Sequence, residues 1–176
     1  MIDFFRTYRP TRLGVMALVI AAVAIVADQT SKAWFLGLHL LEGESQPVLP
    51  FFKLTMVWNP GISLGLFQNH GDLGRWFLVA FGAVAVIGLG IWAGQTQRLF
   101  NAIAAGLIIG GAAGNNLIDR VRLGMVCDFL DFSGIGFKWV FNLADAAIDI
   151  GIAFLILEMV LGARQPATPP TEPKAS

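Results

Sequence analysis

Two carboxylates in this chain stand among apolar neighbours. Asp128 lies in Met125-Val126-Cys127-Asp128-Phe129-Leu130, and Asp145 is flanked by Leu143, Ala144, Ala146 and Ala147, with no basic residue within a helical turn. Such surroundings solvate an ionised carboxylate poorly, and a carboxylic acid that keeps its proton is what general acid catalysis requires. Brought together, two such groups can share one proton, because like charges at close range cannot both ionise cheaply. One carboxylate then deprotonates a water while the other protonates a substrate carbonyl. The same pair could instead serve a proton relay or coordinate an ion, as in a small proton- or cation-coupled transporter. Residue types alone leave both readings open.

Further polar residues gather around the two. Asp28 and Lys32 are four apart and share a helical face, which makes a helix-end salt bridge. Asn116 and Asp119 are three apart with Arg120 alongside, and Asn142 and Asp145 repeat that spacing. Asn59-Pro60-Gly61 supplies a turn. Asp149, one turn beyond Asp145, reads as a supporting carboxylic acid, Asp131 as a loop cap, and Glu158 as a residue that snorkels to water. Cys127 has no histidine near it in sequence to activate the thiol and reads as an inert small apolar group. His39 and His70, the only histidines, read as solvated loop residues, too few and too far apart for a metal site. Met125, Phe129 and Phe132 read as lipid-facing or pocket-lining side chains.

The elements that must position these groups are membrane helices. Of 176 residues, 56% are hydrophobic and 14% charged, against about 25% charged in soluble domains, and the mean hydropathy is +0.68. Twelve basic and twelve acidic residues cancel, which argues against a nucleic-acid partner. One cysteine excludes an intramolecular disulfide framework. A spanning helix needs about 20 mostly apolar residues, and four stretches come close: 13–32, 76–93, 99–118 and 139–161. The first follows Arg6, Arg9 and Arg12 and could be taken for a signal peptide. No polar region separates its apolar core from a cleavage site, so a retained helix is expected. The short 94–98 connection makes the second and third helices an antiparallel hairpin, and their glycines suit close packing in a membrane.

The arginine-rich start favours an internal N-terminus, and four spans return the C-terminus to the same side. The expected organisation is a single membrane domain over 1–164 with a disordered cytoplasmic tail over 165–176. Two regions then lie outside. The first, 37–74, contains an aromatic and β-branched run over 48–58 that suits one or two short strands. The second is a short loop over 119–138 between the third and fourth helices. All the ionisable candidates except Asp149 fall near the outer helix ends or in these regions, which points to one site. A transporter would instead string them through the whole membrane depth.

At this point the chain resembles the lipoprotein signal peptidase family, also called signal peptidase II. Asp28-Gln29-Thr30-Ser31-Lys32 matches the family's D-Q-x-[ST]-K element, and Asn59-Pro60-Gly61-Ile62-Ser63 with Gly65 resembles its N-x-G turn. Asn116-Leu117-Ile118-Asp119-Arg120 is similar to N-x-x-D-R, Gly124-Met125-Val126-Cys127-Asp128-Phe129 matches G-x-V-x-D-F, and Phe141-Asn142-Leu143-Ala144-Asp145 matches F-N-x-A-D. Each is weak alone; five in order are specific. The resemblance implies an all-α membrane protein of four transmembrane helices with a small outer β-like cradle. It implies an intramembrane aspartic endopeptidase of the bacterial cytoplasmic (inner) membrane, active near the periplasmic face. Its catalytic pair would be Asp128 and Asp145, with Asp28, Lys32, Asn59, Gly61, Asn116, Asp119, Arg120 and Asn142 supporting the site or contacting substrate. Cleavage is expected before the lipid-modified cysteine of diacylglyceryl-modified prolipoproteins. Neither metal nor cofactor is expected; the protein is expected to be a monomer in contact with membrane lipids and sensitive to peptide-type inhibitors such as globomycin. The sequence departs from the family at Asn115, which stands where Gly usually precedes the motif's Asn; either Asn115 or Asn116 can fill the family role, and spacing to Asp119 favours Asn116.

Overall fold

The computed structural model describes residues 9–61 and 71–163. The tail over 165–176, Ile62, Ser63 and Gly65 of the turn motif, and His70 lie outside the described residues. Among the described residues, four long helices carry the fold: α1 (Arg12–Leu36), α2 (Gly71–Gly94), α3 (Leu99–Arg122) and α4 (Leu143–Ala163). The first three are long and apolar enough to cross a membrane. Helix α4 is 21 residues long and carries Asp145, Asp149 and Glu158.

Apolar runs make these helices, and local polar groups fix their ends. Thr11 Oγ1 accepts from the Gly14 N–H at 2.9 Å, capping α1, and donates to the Thr96 carbonyl at 2.6 Å. That bond ties the start of α1 to the α2–α3 connection, which is as short as expected. At the same end Arg98 pairs with Glu158 of α4 at 2.6 Å.

Helix α3 is the hub, packed against α1, α2 and α4. Small residues allow the backbones to approach. A Cβ at Gly106 would stand 2.6 Å from the Ala17 carbonyl and 2.7 Å from Ile20 Cβ on α1, and one at Gly111 would stand 2.4 Å from the Ala144 carbonyl on α4. Around this hub, Val19 and Val23 of α1, Phe81 and Val84 of α2, and Ile156 and Met159 of α4 leave large apolar surfaces exposed. In water such faces would be a liability; lipid is their natural solvent.

The last turns of α3 depart from α geometry. Residues Ala113–Asp119 form a π-helical segment, closed where the Arg120 N–H donates to the Asn115 carbonyl. Such single-turn widenings absorb an extra residue and recur at functional sites.

A four-stranded antiparallel sheet covers one end of the bundle, with β1 (Ser45–Leu49), β2 (Phe52–Asn59), β3 (Val126–Asp131) and β4 (Val140–Phe141) in that spatial order. The expected strands over 48–58 are present as part of β1 and most of β2. The connection between the third and fourth helices differs from the expected loop. It begins only after Arg122, so Asp119 and Arg120 remain helical, and it supplies two strands and a 3-10 turn (Ser133–Ile135). Residues 139–141 do not begin the last helix, because Val140 and Phe141 pair with Asp131 and Leu130.

Between sheet and bundle lies a small core of Phe35, Leu54, Met56, Cys127 and Phe129. Phe129 faces neither lipid nor cavity: it is 2% exposed and stacks on Phe35 with ring centroids 4.7 Å apart. Phe132 stacks between Phe52 and Phe141. His39 is an exposed loop residue, as expected.

Candidate active site

The N-terminus of α4 organises the site. Asn142 and Asp145 form a reciprocal capping box. The Asp145 N–H donates to Asn142 Oδ1 at 3.0 Å, and the Asn142 N–H donates to Asp145 Oδ2 at 3.2 Å. The Asn142 side chain also reaches across to β3, where its Nδ2 donates to Asp128 Oδ1 at 2.6 Å. One fully buried asparagine therefore touches both carboxyl groups. From the end of β2, Asn59 Nδ2 donates to the other Asp128 oxygen at 3.0 Å, while Asn59 Oδ1 accepts from the Gly61 N–H.

Asp128 is 1% exposed. Burial pushes its carboxyl well above the ordinary carboxylate range, the negative charge of Asp145 pushes the same way, and the amide donors of Asn59 and Asn142 offset only part of this.

A cavity of about 480 Å³ opens beside the pair. Asp145 lies on its wall with Asn59, Gly61, Asn115, Asn116, Arg120 and Asp149, and Leu78, Phe81, Val126, Phe141 and Ile148 supply apolar surface. Asp128 is not on this wall; its two oxygens accept from the amides of Asn59, which is on it, and of Asn142.

A second layer holds the wall in place. Lys32 is 3% exposed, and its Nζ lies 2.8 Å from Asp28 Oδ2, 2.6 Å from Asp119 Oδ2 and 2.7 Å from Asn115 Oδ1. The Asp119 contact is charge attraction without hydrogen-bond alignment. The expected helix-end bridge is thus a buried cluster of one cation between two carboxylates. Asp28 Oδ1 accepts from the Ala144 N–H at 3.0 Å, so α1 caps the first turn of α4. Arg120 donates to the carbonyls of Pro60 (2.8 Å) and Gly61 and to Asn116 Oδ1 (3.2 Å), pinning the turn that carries Asn59.

Every residue expected at the site therefore lies in it or directly behind it. Two further residues contribute. Asn115 Nδ2 donates to Asp145 Oδ1 at 2.9 Å, so Asn115, and not Asn116, bridges the lysine cluster to that carboxylate. Gln29 Nε2 donates to Asp119 Oδ1 at 2.8 Å and to Asp28 Oδ2 at 3.1 Å. Its place beside Asp28 within the matched motif was the available signal.

Two neighbours have other roles. Burial pushes the Cys127 thiol up to about 12, which keeps it protonated and unreactive. Asp131 caps the loop after β3, accepting from Thr55 Oγ1 at 2.6 Å and the Ser133 N–H at 2.8 Å. Burial alone would raise its pKa, but those bonds and Lys53 outweigh it and hold it at about 2.

The helical bundle with its capping sheet is similar in fold to that of membrane enzymes. Two solved structures described as bacterial membrane enzymes, determined by the in meso method at 2.3 Å and 1.9 Å resolution, superpose with TM-scores of 0.76 and 0.72 at 25% and 27% identity. The first alignment covers 97% of this chain and 99% of the other, and the second 88% and 97%. The profile of the family "Signal peptidase (SPase) II" matches residues 20–161, and the chain belongs to that family. The lipoprotein signal peptidase of Caulobacter vibrioides is 49% identical over 92% of this chain and 96% of its own length. That of Rhodopseudomonas palustris is 43% identical over 87% and 94%. Membership makes the chain a membrane-embedded hydrolase of lipoprotein processing.

Proposed function

We propose that this protein is an intramembrane aspartic endopeptidase that removes signal peptides from diacylglyceryl-modified bacterial prolipoproteins, cutting before the lipidated cysteine. The observation that carries the reading is Asn142, whose side chain holds Asp128 at 2.6 Å while its backbone N–H holds Asp145 at 3.2 Å, beside a cavity that Asp145 faces.

In the proposed reaction a water enters from the cavity on the Asp145 side and reaches the pair. One carboxylate takes a proton from it as its oxygen attacks the scissile carbonyl, and the other gives its proton to the carbonyl oxygen. The tetrahedral adduct then collapses. The C–N bond breaks, the cysteine amine leaves with a proton returned by the pair, and the signal peptide ends in a carboxylate. Burial favours the half-protonated pair this needs, since two adjacent charges cannot both be solvated there.

The same proposal takes α4 as a fourth span, with both termini on the cytoplasmic side and the cavity near the periplasmic face of the inner membrane. Residues 1–164 then form one membrane unit, and 165–176 a tail. The transporter alternative is weaker, because the polar cluster sits at one end of the bundle and Asp149 alone reaches a turn further in.

The test is incubation of the purified protein with a diacylglyceryl-modified precursor, following the released signal peptide. Asp128→Asn and Asp145→Asn should each abolish release while leaving a folded protein, because an amide cannot shuttle the proton. Substantial turnover by either variant would remove the dyad.

A further inference from the structure

The sidedness of an asparagine amide is set by its partners. One end carries two N–H donors and the other a carbonyl acceptor. Lys32 Nζ has donors only, so the end of Asn115 that lies 2.7 Å from it must be the carbonyl. The opposite end, 2.9 Å from Asp145 Oδ1, must then be the amide N–H. Asn115 is 6% exposed, so water is poorly placed to substitute for either partner. Lys32 is itself fixed by Asp28 and Asp119.

We infer that Asn115 is a positioning residue for Asp145, locked by Lys32 so that an N–H donor, never the carbonyl, faces the carboxylate. With the Asn142 N–H on Oδ2 and the Asn115 N–H on Oδ1, both oxygens of Asp145 are held and its carboxyl plane cannot rotate. Asp145 therefore meets the cavity in one orientation. The widened turn makes this possible, since it brings Asn115 to the Lys32–Asp145 gap while Asn116 faces Arg120. A glycine at position 115 would leave Oδ1 without this donor.

The inference rests on the aspartic reading above, and the test separates the two. The full-length protein in detergent micelles is assayed for kcat and KM on a diacylglyceryl-modified precursor peptide, beside Asn115→Gly, Asn115→Asp and Asp145→Asn. Asn115→Gly removes the donor. Asn115→Asp keeps the size and the acceptor for Lys32 but sets an oxygen against Asp145. Both should lower kcat by about 10- to 100-fold, the scale for a misplaced reacting group, with KM within about twofold of the parent. Asp145→Asn should be inactive. If Asp145→Asn cleaves normally, the aspartic reading falls and this inference with it. If Asp145→Asn is inactive but either Asn115 variant keeps the parental kcat, or loses only in KM, the positioning role alone is overturned. Loss of a cooperative thermal transition in both Asn115 variants would overturn it too, by showing that Asn115 holds the fold rather than the carboxylate.

Discussion

Replacing Lys32 with methionine keeps the length of the side chain and deletes its charge. In the parent, the ammonium lies between Asp28 at 2.8 Å and Asp119 at 2.6 Å, with all three side chains at most 3% exposed. After the change Asp28 keeps its bonds from Gln29 and the Ala144 N–H, and Asp119 keeps Gln29, but neither carboxylate retains its ammonium partner. Removing one partner of a buried ion pair costs about 3–5 kcal/mol, and here one cation serves two anions, so the loss should reach at least that range. For a chain of this size each kcal/mol moves the midpoint by about 2–4 °C, which predicts a Tm lowered by roughly 6–20 °C. Thermal unfolding in a fixed detergent, followed by far-ultraviolet circular dichroism, measures it. Asp119→Asn should cost much less, because the remaining Lys32–Asp28 pair is neutral overall and the new amide can still accept from Gln29. A Lys32→Met shift under about 2 °C, or equal losses for the two variants, would refute the view that the lysine neutralises both carboxylates.

Gly106→Ala should lower the Tm, at a cost of about 1–3 kcal/mol for overpacking, because its Cβ would meet the Ala17 carbonyl at 2.6 Å. Gly88→Ala, with nothing within 4 Å of the new methyl group, should leave the midpoint unchanged or raised, and serves as the control in the same scans. Cys127→Ala should keep most of the cleavage activity, and the parent should resist thiol alkylation while folded, since the thiol is buried and held protonated with its pKa at about 12. Asp131→Asn should destabilise the protein at neutral pH. A carboxylate depressed from 3.8 to about 2 stabilises fully above the unfolded value and loses that contribution as pH falls through the folded one. The Tm gap between parent and Asp131→Asn should therefore close between about pH 4 and pH 2, as read from unfolding scans across that window.

Much of this architecture was legible because long apolar runs and helix-spaced polar pairs are local signals. Asn142 with Asp145 and Asp28 with Lys32 each share a helical face by spacing alone. What stayed hidden depends on distant partners. Val126, Cys127, Asp128 and Phe129 are all buried, so β3 shows none of the alternation that marks a strand with one wet face. Residues 139–141 continue the apolar run of α4, and only their pairing with β3 removes them from the helix. Spacing alone does not choose between Asn115 and Asn116, because counting residues to Asp119 presumes an ordinary α-turn, which the chain does not make there.

That turn has a consequence for how the gene can change. Each residue of an α-helix advances the chain by about 100°, so the one extra residue absorbed at Ala113–Asp119 sets everything after it a step out of phase. Asp119 and Arg120 reach Lys32 and the Pro60–Gly61 turn only with that offset. Losing a single codon within the segment would let it relax to an ordinary α-turn and keep both residues in phase with their partners. Losing one elsewhere in the helix would leave every side chain beyond it chemically intact yet rotate both away by about 100°.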